Sequence, residues 1–207
     1  MPDRIDVRDS ARERLPPGQV ITRKWPVLHY GSVPPVDLAT WRFEVTGAVE
    51  RPLSLGWDEL LALPRRETAC DMHCVTRWSR YDNVFEGVPV QAVLERAGVQ
   101  PEAAYVLVHA EQNYTTNLPL ADLERPANLL ALSHNGESLT PEHGGPVRLL
   151  VPHLYLWKSA KWVTGLQLLH EDYPGFWEQN GYHMRGDPWR EERYGRPDPA
   201  RMRRGPR

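Results

Sequence analysis

Alternation of apolar and polar positions carries most of the structural information in this chain. Residues 40–49, TWRFEVTGAV, alternate with period two and put Trp41, Phe43 and Val45 on one face, which predicts a half-buried strand. WDELLAL (57–63) predicts a short helix stopped by Pro64, and RRETACDMHC (65–74) reads as extended. In VPVQAVLERAGV (88–99), Pro89 suits a first helical position and Gly98 a C-cap, so this segment predicts the clearest helix. YVLVHA (105–110) is apolar enough for a buried strand. Asn135-Gly136 lies between two apolar runs and predicts a type I′ hairpin. PVRLLVP (146–152) and KWVTGLQLL (161–169) predict two more strands. From about residue 171 the periodicity disappears and Gly, Pro and aromatic residues take over.

Strands dominate, helices are short, and the two do not alternate regularly. That pattern favours an α+β fold with mixed sheets over a doubly wound α/β sheet. A chain of 207 residues suits a single domain with a substantial core. The expected organisation is a flexible N-terminal segment (1–20), one domain (21–190) and a basic C-terminal tail (191–207). Residues 189–207 carry seven Arg against three acidic residues, which reads as a solvated or frayed end, or else as an arm packing on another subunit.

Composition narrows the function classes more than it names one. Hydrophobic residues make up 41% and charged residues 25%, with a formal net charge of −2, so nothing points to nucleic acid or an acidic membrane surface. The charged N-terminus has no apolar core of a secretory signal, and no run approaches the roughly 18 apolar residues of a membrane span. A cytoplasmic protein is the expectation. Two cysteines cannot build a disulfide framework.

Three stretches carry candidate chemistry. The first is HCVTRWS (73–79), which holds Cys74. If the segment is extended, Cys70, Met72 and Cys74 share a face and His73 points away. Cys70 and Cys74 would then stand about 13 Å apart, too far for a disulfide. Their spacing makes a weak zinc pair. Arg77 would help hold Cys74 as the thiolate that binds soft metals or attacks as a nucleophile. The second stretch, VRLLVPHLYLWKSAKWV (147–163), sets Arg148, Lys158 and Lys161 among apolar residues. Cations there are either a solvated edge or an anion site, and the planar guanidinium of Arg148 suits a phosphate. The third, GFWEQNGYHMRGDPWREERY (175–194), reads as an aromatic loop covering a site.

These stretches resemble, in order, the motifs of the sulfite oxidase and molybdopterin-dependent methionine sulfoxide reductase superfamily. HCVTRWS with FEGVPV resembles its cysteine segment, and PVRLLVPHLYLWKSAKWV its G-x-P-x-R-L-x-x-P-x-x-Y-x-x-K-x-x-K stretch. GFWEQNGYHMRGDPW resembles the tail of the sulfite-oxidising members, and WPVLHYG (25–31) stands where an early cofactor-contacting loop is found. The matches run from residue 25 to about 190. The resemblance implies a sulfite oxidase-type fold around one molybdenum held by a pyranopterin dithiolene, with Cys74 as the protein ligand. It places Leu28, His29, His143, Arg148, Leu156, Trp157 and Lys158 at the cofactor, with Lys161 a looser match. The early-loop Asn of the sulfoxide reductases is replaced here, near Trp25 and Pro26, and their Thr aligns with Ala110 unless Thr115 or Thr116 takes its role.

The expected activity is oxygen-atom transfer to or from a small substrate, a sulfite-like anion or a sulfoxide or N-oxide, with molybdenum cycling between Mo(VI) and Mo(IV). Cys74 is the expected ligand and Arg77 the expected catalytic cation, while His73 and Thr76 are candidates to orient the sulfur. With no C-x-x-C-H haem motif in the chain, electrons would pass through a separate donor or acceptor. The alternative is a scaffold module that keeps the fold without redox activity, either free of cofactor or binding zinc through Cys70, His73 and Cys74.

Overall fold

The computed structural model describes residues 3–8 and 14–195. Strands β1 (Asp3–Asp6), β2 (Val20–Ile21), β3 (Phe43–Gly47) and β4 (Leu53–Leu55) precede helix α1 (Trp57–Leu61). Strands β5 (Arg66–His73) and β6 (Trp78–Pro89) lead into α2 (Val90–Ala97), then β7 (Tyr105–Ala110), β8 (Thr115–Pro119) and α3 (Leu120–Leu123). The chain continues through β9 (Leu129–His134), β10 (Glu137–Ser138), β11 (Arg148–Leu150), β12 (Val163–Leu169) and α4 (Phe176–Gln179).

One sheet has the order β1-β5-β6-β9-β10, with β11 paired to β9 and β2 to β6, and the other has the order β4-β3-β12-β7-β8. Both are mixed: β3 and β12 run parallel, while β12 and β7 run antiparallel. The main core joins the two sheets. Phe43, Val45, Val106, Val108, Leu166 and Leu168 of the smaller sheet meet Val88, Leu130 and Leu149 of the larger one, with Val93, Leu94 and Ala97 of α2. Each side supplies its alternate residues, as two packed sheets require. The expected α+β architecture with short helices is what forms.

The elements predicted from clean patterns are present. Trp41, Phe43 and Val45 are all buried. Helix α2 is preceded by Pro89 and closed by Gly98 at φ 68°, the left-handed conformation that a residue without Cβ adopts most cheaply. Asn135 (φ 50°) and Gly136 (φ 83°) form the turn between β9 and β10, both left-handed as type I′ demands.

Other expectations need correction. The segment before residue 21 is not loose where it is described: β1 pairs in parallel with β5, β2 pairs with β6, and Gln19 is buried. The tail boundary at 191 is not a break either. Arg193 is only 4% exposed, and Tyr194 bridges to Tyr182. Residues 196–207 of the expected tail lie outside the described residues. Finally, Cys70 and Cys74 do not share a face. A bulge shifts the β5–β6 register between Cys70 and Met72, and β5 ends at His73. Cys70 and Met72 pack with Phe85, whereas Cys74 joins Val75, Tyr155 and Trp157.

Candidate functional site

Cys74 opens the connection between β5 and β6. Its N–H donates to the Trp78 carbonyl at 2.9 Å, and its carbonyl accepts from the Arg77 N–H at 3.0 Å, so the chain folds back within four residues. The amide of Gln19 donates to the Cys74 carbonyl at 3.1 Å, and the Arg193 guanidinium to the Val75 carbonyl at 2.8 Å. Two distant segments thus pin the turn. Cys74 Sγ lies 3.1 Å from Thr76 Oγ1. Burial pushes the thiol pKa up, opposed by the Thr76 bonds and by Arg148 and Arg193.

The sulfur borders a cavity of 340 Å³ walled largely by aromatic rings, including Trp25, Tyr114, Trp157, Trp162, Trp177 and Tyr182. The rings brace one another: Trp177 stacks on Tyr182 at 5.0 Å, and Trp157 meets Tyr182 edge-on at 5.1 Å. Trp157 rests on Gly186, where a Cβ would come within 2.7 Å of the indole, and Gly186 has φ 80°. Tyr114 donates its hydroxyl to the Trp157 carbonyl at 2.7 Å.

Arg148 supplies the cavity's buried charge. On β11, Leu149 points into the main core, so Arg148 on the other face reaches the cavity. It is 3% exposed, and one guanidinium nitrogen donates to the His143 carbonyl at 3.0 Å. Its Nε has no hydrogen-bond partner among the described residues, and no described carboxylate pairs with it. Loss of solvent pulls its pKa down to about 10. Lys161 also lines the cavity, its Nζ donating to the Glu142 carbonyl. Burial, with Arg148 nearby, lowers its pKa to about 7.

The remaining expected residues divide. Leu28, His29, Leu156 and Trp157 line the cavity, with His29 edge-on to Trp162. His143 stands behind the wall, stacked on Trp25 at 4.1 Å, and contributes its carbonyl to Arg148. Lys158 is a correction. Its ammonium is wholly buried and donates to Glu178 Oε1 (2.6 Å), Asn117 O (2.7 Å), Asn117 Oδ1 (2.8 Å) and Met184 O (2.7 Å). A lysine so saturated has no donor left for a phosphate.

Arg77 is a second correction. The turn sets it at φ 73°, and its exposed side chain lies beside Gly18, outside the cavity lining. The cations that act on Cys74 are Arg148 and Arg193. His73 does not face the cavity either: it hydrogen-bonds Ser79 Oγ at 2.8 Å, and burial lowers its pKa to about 4. Among the described residues no three His, Cys, Asp or Glu side chains converge on a metal position, so the zinc arrangement through Cys70, His73 and Cys74 does not assemble. Thr116, offered as a substitute for Ala110, bonds Glu178 at 2.9 Å instead. Tyr114, Trp177, Tyr182 and Arg193 were not identified individually from sequence. The aromatic run at 175–194 was the available signal for the last three.

Comparison with known proteins gives this geometry its context. The family described as oxidoreductase molybdopterin binding domain matches residues 30–177. The chain is 54% identical over 182 residues to an uncharacterised oxidoreductase, YuiH, of Bacillus subtilis, covering 87% of this chain and 92% of that one. It is 32% identical over 173 residues to a putative protein-methionine-sulfoxide reductase subunit, YedZ1, of Azospira oryzae, covering 82% of this chain and 66% of that one. Among solved structures, the sulfane dehydrogenase SoxCD of Paracoccus pantotrophus aligns with a TM-score of 0.66 at 24% identity, over 74% of this chain and 43% of that one. That likeness concerns the fold, which is of the sulfite oxidase type. With the family matched across most of its length, the chain belongs to the molybdopterin-binding oxidoreductases, whose cofactor is Mo-molybdopterin.

Proposed function

We propose that this chain moves an oxygen atom to or from a small substrate, with molybdenum held by a pyranopterin and by Cys74. The observation that carries the reading is Arg148, a buried and unpaired guanidinium facing the cavity that Cys74 borders. Burying a cation without a partner is expensive, and an anionic ligand such as the pterin phosphate would offset that cost. The cavity residues fit the group. Arg148 and Lys161 would hold its phosphate, the indoles of Trp25 and Trp162 offer flat apolar faces to its rings, and the soft Cys74 thiolate suits a metal already bound by sulfur. When bound, the cofactor supplies the two-electron redox change that accompanies transfer of one oxygen atom.

The protein's own part is to orient, exclude water and select. Around Cys74 the walls are Val75, Trp78, Trp157, Trp177 and Tyr182, and Arg77 is turned out of the site. Once the cofactor takes up Arg148 and Lys161, the substrate end is apolar and aromatic. This supports a neutral sulfoxide or N-oxide as oxygen donor in preference to a sulfite anion as acceptor. Electrons would come from a separate donor. No helix of the described residues is long and apolar enough to cross a membrane, and a cytoplasmic location is part of the proposal.

Metal analysis of the purified protein tests the reading. About one molybdenum per chain in the wild type, lost in a folded Cys74→Ser variant, is the expected result. Full molybdenum and unchanged turnover in Cys74→Ser would refute the ligation. Parallel assays with artificial electron carriers, reducing sulfoxides and N-oxides or oxidising sulfite, decide the direction.

A further inference from the structure

The turn that carries Cys74 also delivers a hydroxyl to its sulfur. Arg77 N–H bonds back to the Cys74 carbonyl, and of the two residues between them, Val75 and Thr76, the second brings its hydroxyl to the cysteine side chain. Thr76 Oγ1 sits 3.1 Å from Sγ, within hydrogen-bond reach for sulfur. Gln19 and Arg193 fix the turn through the Cys74 and Val75 carbonyls, so this approach is built into the backbone. Thr76 lies on the cavity wall, so the contact stands at the site itself.

In the free thiol either atom could donate. Metal binding removes the thiol proton, which leaves the hydroxyl as donor and the sulfur as acceptor. Resting on the proposed ligation by Cys74, we infer that the Thr76 hydroxyl donates to the ligand sulfur and raises the reduction potential of the metal site. A hydrogen bond draws electron density from the thiolate, weakens its donation to the metal and so favours the lower oxidation state. Thr76 acts through Cys74 and is a positioning and tuning residue.

The test uses wild type, Thr76→Val and Thr76→Ser, each isolated with its cofactor. Valine keeps the shape without the hydroxyl; serine keeps the hydroxyl. Molybdenum content is measured, and the paramagnetic metal signal is followed through a titration with redox dyes. The expected result is equal molybdenum in all three and a lower midpoint in Thr76→Val. The shift should be about tenfold in the oxidised-to-reduced ratio, or about 59 mV for a one-electron step. Thr76→Ser should match the wild type. A wild-type midpoint in Thr76→Val, or a midpoint in Thr76→Ser as low as that of valine, overturns the inference. Should Thr76→Val fail to keep its metal, Thr76→Ala serves as a second hydroxyl-free variant. Loss in both with retention in Thr76→Ser supports the hydroxyl's role, and loss in serine as well overturns it. Full molybdenum in Cys74→Ser would sink the ligation beneath this inference, whereas an unshifted Thr76→Val with ligation intact sinks the inference alone.

Discussion

Lys158 and Lys161 stand three residues apart in one apolar stretch, and the fold gives them opposite surroundings. Lys158 turns inward and meets Glu178 with three further acceptors, all between 2.6 and 2.8 Å. Glu178 in turn accepts from Thr116 and from the Trp157 indole at 2.7 Å, so the pair is the knot under the cavity floor. Lys161 stays at the cavity wall beside Arg148, where among the described residues no carboxylate pairs with either. The difference lies in how far each cation is satisfied. Lys158 is wholly buried and saturated by internal acceptors, whereas Lys161 is half-buried and donates to the Glu142 carbonyl alone among the described residues.

The comparison can be broken most forcefully at Lys158. Lys158→Met leaves the Glu178 carboxylate buried without its cation, and removing one partner of such a pair costs about 3–5 kcal/mol. Urea denaturation should show that loss, and the double variant Lys158→Met/Glu178→Leu should recover part of it. A loss below about 1 kcal/mol would mean that the pair is not the knot described.

Arg148→Met should act in the reverse sense. It removes an unpaired buried charge, so the cofactor-free protein should be no less stable than the wild type. Cofactor retention during dialysis, read as molybdenum per chain, should fall by about tenfold or more for loss of a charge-assisted contact. Reduced stability with full retention would reverse the assignment.

Lys161 sharpens the contrast through pH. Its pKa near 7 in the folded chain lies below the unfolded value of about 10.4. Between these values the unfolded chain binds more protons, so this residue destabilises the cofactor-free protein below about pH 7 and releases that effect as pH rises toward 10. Lys161→Met should therefore stabilise the cofactor-free protein at pH 7 and make little difference near pH 10. Denaturation midpoints of variant and wild type at both pH values check it, since other titrating groups cancel in the difference.

The smallest effect is expected at Arg77. Arg77→Ala should change turnover and apparent substrate affinity by less than about twofold, because the side chain is exposed outside the cavity lining. A tenfold loss in either would return Arg77 to the reaction.

Long central strands were hard to read in the sequence where their periodicity breaks. β6 runs for twelve residues through WSRYDNVFEGVP, yet its polar residues fall on no regular face. Asp82 sits at φ 58°, the β5–β6 register shifts, and a further shift on the β9 side follows at Glu86 and Gly87. Bulges reset the alternation that a strand prediction depends on. The same irregularity defeated the expectation that Cys70 and Cys74 share a face. Arg193 was misread for a different reason. Its neighbours form a run of charges, and nothing local reveals that its guanidinium reaches the Val75 and Pro17 carbonyls from more than a hundred residues away.

What the sequence determined by itself was local or chemical in kind. Alternation at 40–49, the Pro89 and Gly98 boundaries of α2 and the Asn135-Gly136 turn follow from backbone preferences that act within a few residues. That Cys74 carries a soft sulfur, that Arg148 carries a planar cation and that residues 175–194 are rich in aromatic rings was legible, because those properties belong to the side chains themselves. Which cation remains unpaired was decided by the tertiary structure. Spacing along the chain places Lys158, Lys161 and Arg77 near the site, but only the packed neighbours settle whether a donor is spent on Glu178, aimed into the cavity or turned out to solvent. Desolvation and pairing depend on every group around a charge, and those groups come together only when distant segments meet.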